Sequence, residues 1–187
     1  DRLYAYCSDR RLPHRRCGKF IVATSPEQVD ELDAIAAAAR RNGVNDIEQL
    51  TGAEAKKSEP ELRCLAALSS PSTGIIDSHA FMLSLLGDAE AMGAVIAYQT
   101  SVQSLWVTQG GVEIVLQGES DPSLRTRLAV NAAGLDAAPL THRTDGLNPA
   151  FAYPSFYAKG SYFTLAGRSP FSRLVYPAPE PGGLGVH

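Results

Sequence analysis

Cysteine is scarce in this chain of 187 residues, tryptophan occurs once, methionine twice, and basic residues are not in excess. Each shortage closes off a class of function. Cys7, Cys17 and Cys64 are odd in number and match neither a CxxC motif nor a zinc framework, so reduced thiols are expected rather than staples or ligands. His14, His79, His142 and His187 lack the HxxxH or HxH spacing that places two imidazoles on one ion, so no metal site is expected. Lys plus Arg number 17 against 20 Asp plus Glu, a net charge of -3, which builds no basic surface for nucleic acid or an anionic membrane. No apolar run approaches the roughly 20 residues that cross a bilayer, and Asp1-Arg2-Leu3-Tyr4 lacks the blocks of a signal peptide. A soluble, cytoplasmic protein is the expectation.

What is present suffices for a core: 44% of residues are hydrophobic and 20% charged, enough for one full domain or two small ones. The chain opens on Asp1 rather than Met, and Gly182-Gly183-Leu184-Gly185-Val186-His187 runs into an apolar stretch, so a fragment of a longer polypeptide is expected. Residues 19–24 are β-branched and aromatic and predict a strand. Ser25, Pro26 and Gln28 then predict a helix from Pro26, with Val29, Leu32, Ile35, Ala36 and Ala39 on one face and Asn42-Gly43 as its stop. Thr51 and Glu54 stand at capping-box spacing before a second helix that ends ahead of Pro60.

Residues 64–69 predict a short strand, and Pro71-Ser72-Thr73-Gly74 a turn leading to Ile75-Ile76. Asp77 caps a helix striped by Phe81, Met82, Leu85, Leu86, Ala89 and Met92 and closed by Gly93; His79 just inside it has a surface or packing role. A strand over residues 94–98 and a three-stranded meander follow, the last strand running from Leu124 to Val130. It ends in Asn131-Ala132-Ala133-Gly134-Leu135. Small residues there allow a tightly packed strand end, or let a phosphate come close to backbone N–H groups. After Pro149 the aromatic and proline-rich composition predicts antiparallel strands with irregular links.

Five blocks carry a family likeness: Arg16-Cys17-Gly18-Lys19-Phe20-Ile21-Val22-Ala23-Thr24, Ser70-Pro71-Ser72-Thr73-Gly74-Ile75-Ile76-Asp77-Ser78-His79, Asn131-Ala132-Ala133-Gly134-Leu135, Lys159-Gly160-Ser161-Tyr162-Phe163, and Tyr176-Pro177-Ala178-Pro179 with Gly185-Val186-His187. In this order the chain resembles the FAD-dependent oxidoreductases of the D-amino-acid oxidase/glycine oxidase superfamily, in particular their L-2-hydroxyglutarate dehydrogenase/oxidase-like branch. The resemblance implies an α+β fold: part of an α/β FAD domain with a three-stranded meander over 74–145, and substrate-domain portions over 1–73, with helices, and over 146–187, mostly antiparallel. It also implies that the Rossmann unit opening on GxGxxG and the family's C-terminal part are absent, since Gly182-Gly183-Leu184-Gly185 has neither the spacing nor the following helix.

Carried over by the same resemblance, FAD is the cofactor. The strand around Val102 lies beside its adenine, and Ala132, Ala133 and Gly134 approach its pyrophosphate. Lys159, Tyr162, Tyr176 and His187 face the flavin and a small carboxylate substrate, with His187 as the catalytic base and Lys159 neutralising a carboxylate. Arg168 and Arg173 lie in the same segment without an assigned role. The implied function is oxidation of a 2-hydroxy acid such as L-2-hydroxyglutarate by hydride transfer to flavin, the electron acceptor being open and this piece alone inactive. Two alternatives stand beside it: a glycine- or D-amino-acid-oxidising enzyme, and a non-catalytic ligand-binding module of the same fold.

Overall fold

The computed structural model describes residues 2–179. Helix α1 (Arg2–Asp9) carries no cap that the sequence announces, yet it buries Cys7 and sets Tyr6 edge-on against Phe81 with ring centroids 5.7 Å apart. Strands β1 (His14–Arg15) and β2 (Lys19–Ala23) follow. Helix α2 (Pro26–Arg41) starts where proline and a serine cap require: Ser25 Oγ accepts from the Gln28 amide. Gln28 Oε1 accepts from the Thr24 amide (2.8 Å) and hydroxyl (2.9 Å), so its reach-back lands one residue before the cap. After β3 (Glu48–Thr51), helix α3 (Gly52–Ser58) has the expected box, with Glu54 Oε2 accepting from the Thr51 amide at 2.8 Å. Strands β4 (Ala66–Ser70) and β5 (Ile75–Ile76) lead to α4 (Ser78–Ala91), where Asp77 Oδ1 accepts from the Ala80 amide at 2.9 Å. The apolar stripe of α4 is covered only in part: Phe81, Leu86 and Ala89 are half-buried, whereas Met82, Leu85 and Met92 stand exposed.

Residues 94–98 form no strand, contrary to expectation. Val95 and Tyr98 are exposed, and β propensity alone supplies no neighbouring ladder to bond to. The meander does form: β6 (Val102–Thr108), β7 (Gly111–Leu116) and β8 (Leu124–Thr126) pair antiparallel, and Val115 is buried. Gly111 sits at φ 135, and a Cβ there would lie 2.1 Å from the Thr126 carbonyl, so only glycine lets β8 approach. The third strand stops at Thr126 rather than Val130. A 3₁₀ turn at Gly134–Asp136, helix α5 (Ala137–His142) and β9 (Thr144–Asp145) follow, β9 pairing parallel with β6.

The aromatic span expected to give antiparallel strands is irregular from 152 to 173, with Tyr162 93% and Phe163 94% exposed. Regular structure resumes in β10 (Leu174–Pro177), which runs parallel, not antiparallel, to β2, with Val175 opposite Phe20. The resulting sheet, in order β10-β2-β4-β3, is otherwise antiparallel. One face buries Phe20, Val22 and Ala67 with Ala55 and Leu62; the other buries Ala23 and Leu68 with Leu32 and Ala36 of α2 and with Ala178. The architecture is α+β. Packing divides it into Ala94–Lys159 and a unit made by the chain up to Gly93 together with the chain from Gly160, whereas the sequence divides it at 73 and 145.

A buried carboxylate ties the returning chain down. Glu59, 2% exposed, accepts from the Ser172 amide (3.1 Å), the Ser172 hydroxyl and Arg173 Nε (2.9 Å), and the guanidinium lies 4.3 Å from the centroid of the Phe20 ring. Burial pushes the carboxyl up, but the bonds from Ser172 and Arg173 outweigh it and hold Glu59 below the ordinary carboxylate value of 4.5. Its stabilising contribution is therefore fully present above that value and is lost as pH falls through the lower, folded one. We expect Glu59→Ala to cost about 3 kcal/mol in urea denaturation at pH 7, because Arg173 is left without its partner. The gap between wild type and variant should narrow below about pH 4.5; a gap that does not change with pH would show that the carboxylate charge is not what holds the segment.

Candidate functional site

Within the 94–159 unit, a cleft of about 840 Å³ opens beside the first residues of β6. One wall is Ser101, Val102 and Gln103, with Gln117 at the end of β7; the Gln117 amide donates to the Ser101 carbonyl at 2.9 Å and closes that rim. The facing wall is Val130, Asn131, Ala132 and Ala133, and the back is Asp136, Leu140 and Arg143. Ala132 and Ala133 offer only methyl groups, so along that stretch the peptide groups are not screened by long side chains. Asp136 and Arg143 bring one charge of each sign to the lining.

The shape of this wall comes from a turn and a short helix. Asn131 Oδ1 accepts from the Ala133 amide at 3.3 Å, an Asx turn, and Gly134 then takes φ 57 and starts the 3₁₀ turn into α5. At the other end of α5, Arg143 Nε donates to the Gln103 carbonyl at 2.9 Å, and the Leu105 amide donates to the Arg143 carbonyl at 3.2 Å. Both walls are thus fastened to α5.

The structure brings Val102, Ala132 and Ala133 into one cleft, and Gly134 follows directly. Lys159 and Tyr162 stand exposed on the irregular span. Tyr176 is half-buried on β10, with Lys19 Nζ 5.4 Å from its ring centroid. Arg173 is engaged with Glu59, and Arg168 is exposed. His187 lies outside the described residues. Sequence reasoning missed Gln103, Gln117, Asp136, Leu140 and Arg143; an asparagine two residues before the glycine-bound alanine was the one local signal available, as an Asx turn.

A family model described as DAO, FAD dependent oxidoreductase, matches residues 1–187. The chain belongs to this family of FAD-dependent oxidoreductases. It is 39% identical over 215 residues to the mitochondrial L-2-hydroxyglutarate dehydrogenase of Arabidopsis thaliana, covering 99% of this chain and 44% of that protein. To the L-2-hydroxyglutarate dehydrogenase of Salmonella houtenae it is 30% identical over 186 residues, covering 97% and 43%. The chain therefore spans less than half the length of these relatives. In fold it resembles the L-α-glycerophosphate oxidase of Mycoplasma pneumoniae, with a TM-score of 0.67 at 23% identity over 76% of this chain and 39% of that one.

For a member of this family the cleft fits part of a dinucleotide: a β-strand edge and polar rim on one side, and on the other a turn whose side chains are too small to screen its peptide groups. The GxGxxG unit that completes such a site does not occur in the 187 residues. Gly134 is required for backbone reasons, since a Cβ there would meet nothing within 4 Å. Gly134→Ala should therefore cost about 1 kcal/mol in urea denaturation, and Gly134→Asn distinctly less, because asparagine tolerates positive φ. Equal losses in the two variants would contradict a conformational origin.

Proposed function

We propose that this chain supplies one wall of the flavin site and part of the substrate site of an FAD-dependent dehydrogenase that oxidises a small 2-hydroxy acid, L-2-hydroxyglutarate in the first instance. The observation that carries it is the 39% identity to the Arabidopsis relative across 99% of the chain. The cleft that gathers Val102 with Ala132 and Ala133 supports it. When bound, the flavin supplies the hydride acceptor. In this reading Val102 packs beside the adenine, and the Ala132-Ala133-Gly134 backbone approaches the pyrophosphate, the Ala133 amide being held by Asn131. Lys159 neutralises a substrate carboxylate, Tyr162 and Tyr176 donate hydroxyl hydrogen bonds to it, and His187 takes the proton of the C–OH group.

Residues 74–145 are the flavin-domain portion of this reading, and 1–73 and 146–187 the substrate-domain portions. The pairing of β10 with β2, in the sheet that also holds β4 and β3, supports grouping the two outer stretches. A second reading, oxidation of glycine or a D-amino acid, draws on the likeness to the glycine oxidase of Geobacillus kaustophilus, TM-score 0.60 at 22% identity over 75% of this chain and 39% of that one. That likeness carries the fold alone, so it ranks second. A cytoplasmic location completes the reading; recovery of the full-length protein in a washed mitochondrial fraction would overturn it.

The test uses the full-length polypeptide that contains this chain. It should purify with a flavin absorption band that bleaches on anaerobic addition of L-2-hydroxyglutarate and persists with glycine or D-alanine. Bleaching by glycine or D-alanine instead would establish the second reading. A colourless protein that takes up no added FAD would leave a ligand-binding module of the same fold.

A further inference from the structure

The Asn131 side chain joins three points of the cleft wall. Its Nδ2 donates to the Ala137 carbonyl (2.7 Å) and to Thr141 Oγ1 (3.3 Å), while its Oδ1 accepts from the Ala133 amide (3.3 Å). Thr141 Oγ1 in turn donates to the same Ala137 carbonyl at 2.8 Å. Helix α5 has no side-chain cap at its start; the Asp136 amide donates back to the Ala133 carbonyl at 3.0 Å, and the Asn131 amide adds the side-chain link between the Ala132-Ala133 turn and the helix behind it. Arg143 fastens the other end of that helix to the opposite wall at Gln103. Asn131 is itself exposed and fills no core position, so its bonds shape the turn more than they stabilise the unit.

We infer that Asn131 is a positioning residue for the cofactor: it fixes the Ala132-Ala133-Gly134 backbone in the form that meets the pyrophosphate, acting through the turn rather than through its own contact with the ligand. The inference rests on the flavin reading of the cleft. Without the side chain the turn samples other conformations, and the ligand must hold it at a cost in affinity.

The test titrates apoprotein of the full-length polypeptide with FAD and, separately, with ADP, which carries the adenine and pyrophosphate without the flavin. Asn131→Ala should weaken both by roughly fivefold to tenfold, the scale of one or two net hydrogen bonds. The melting temperature of the apoprotein should stay close to wild type. Asn131→Ser keeps an acceptor for the amide two residues on and should recover part of the affinity; it also serves if the alanine variant fails to fold. Arg125→Ala breaks the exposed pair with Glu113 on β8 and β7, away from the cleft, and should leave both affinities unchanged. Unchanged FAD and ADP binding by Asn131→Ala, or a fall in FAD binding with ADP unaffected, overturns the role given to Asn131 while leaving the flavin site standing. Wild-type apoprotein that takes up neither ligand overturns the flavin reading and this inference with it.

Discussion

The parallel pairing of β10 with β2 closes the larger unit and brings the returning chain onto its sheet. β2 lies between β4, which follows within the same stretch, and β10, which arrives only after the whole of Ala94–Lys159 has been traversed. Closing so long a loop is entropically costly, and a four-residue strand recovers little of that by itself. The difference comes from burial of Phe20, Val22 and Ala178 at the seam and from Glu59, which captures Ser172 and Arg173 just before β10 begins. A carboxylate serves here because three donors converge on it; left without them it would cost more than it contributes.

The 94–159 unit answers to a different constraint. Its cleft is lined in part by a turn of alanine and glycine, whose own side chains are too small to hold its shape. The fold resolves this from a distance. Asn131 and Arg143 grip opposite ends of α5, so a six-residue helix with little stability of its own serves as the spacer between the two walls. In the proposed reading, a wall that is already shaped does not have to be ordered by the ligand.

What was legible in the sequence was local. Ser25, Thr51 and Asp77 each cap the helix they announce, and Gly43 and Gly93 take the positive φ expected where α2 and α4 end. Caps are read within three or four residues, so no tertiary information is needed. Strands are legible in β2 and β4, whose apolar runs end at cap or turn signals, and in the meander, where a hairpin supplies the partner. Residues 94–98 and the aromatic span after 152 have strand-like composition and no ladder, whereas β10 finds its partner far away and in the parallel sense. In the cleft, Val102, Ala132 and Ala133 were reached through the family's order of blocks. Arg143 was not, because its role is a bond to a carbonyl 40 residues earlier that no local pattern encodes.

In the proposed reading the walls at 101–103 and 130–136 close on the same ligand, which hydrogen–deuterium exchange of the full-length protein with and without FAD would report. Exchange should slow in peptides covering both stretches when FAD is added and stay the same over α3, which has no part in the cleft. Slowing confined to other segments, with both stretches exchanging as freely as before, would place the FAD elsewhere.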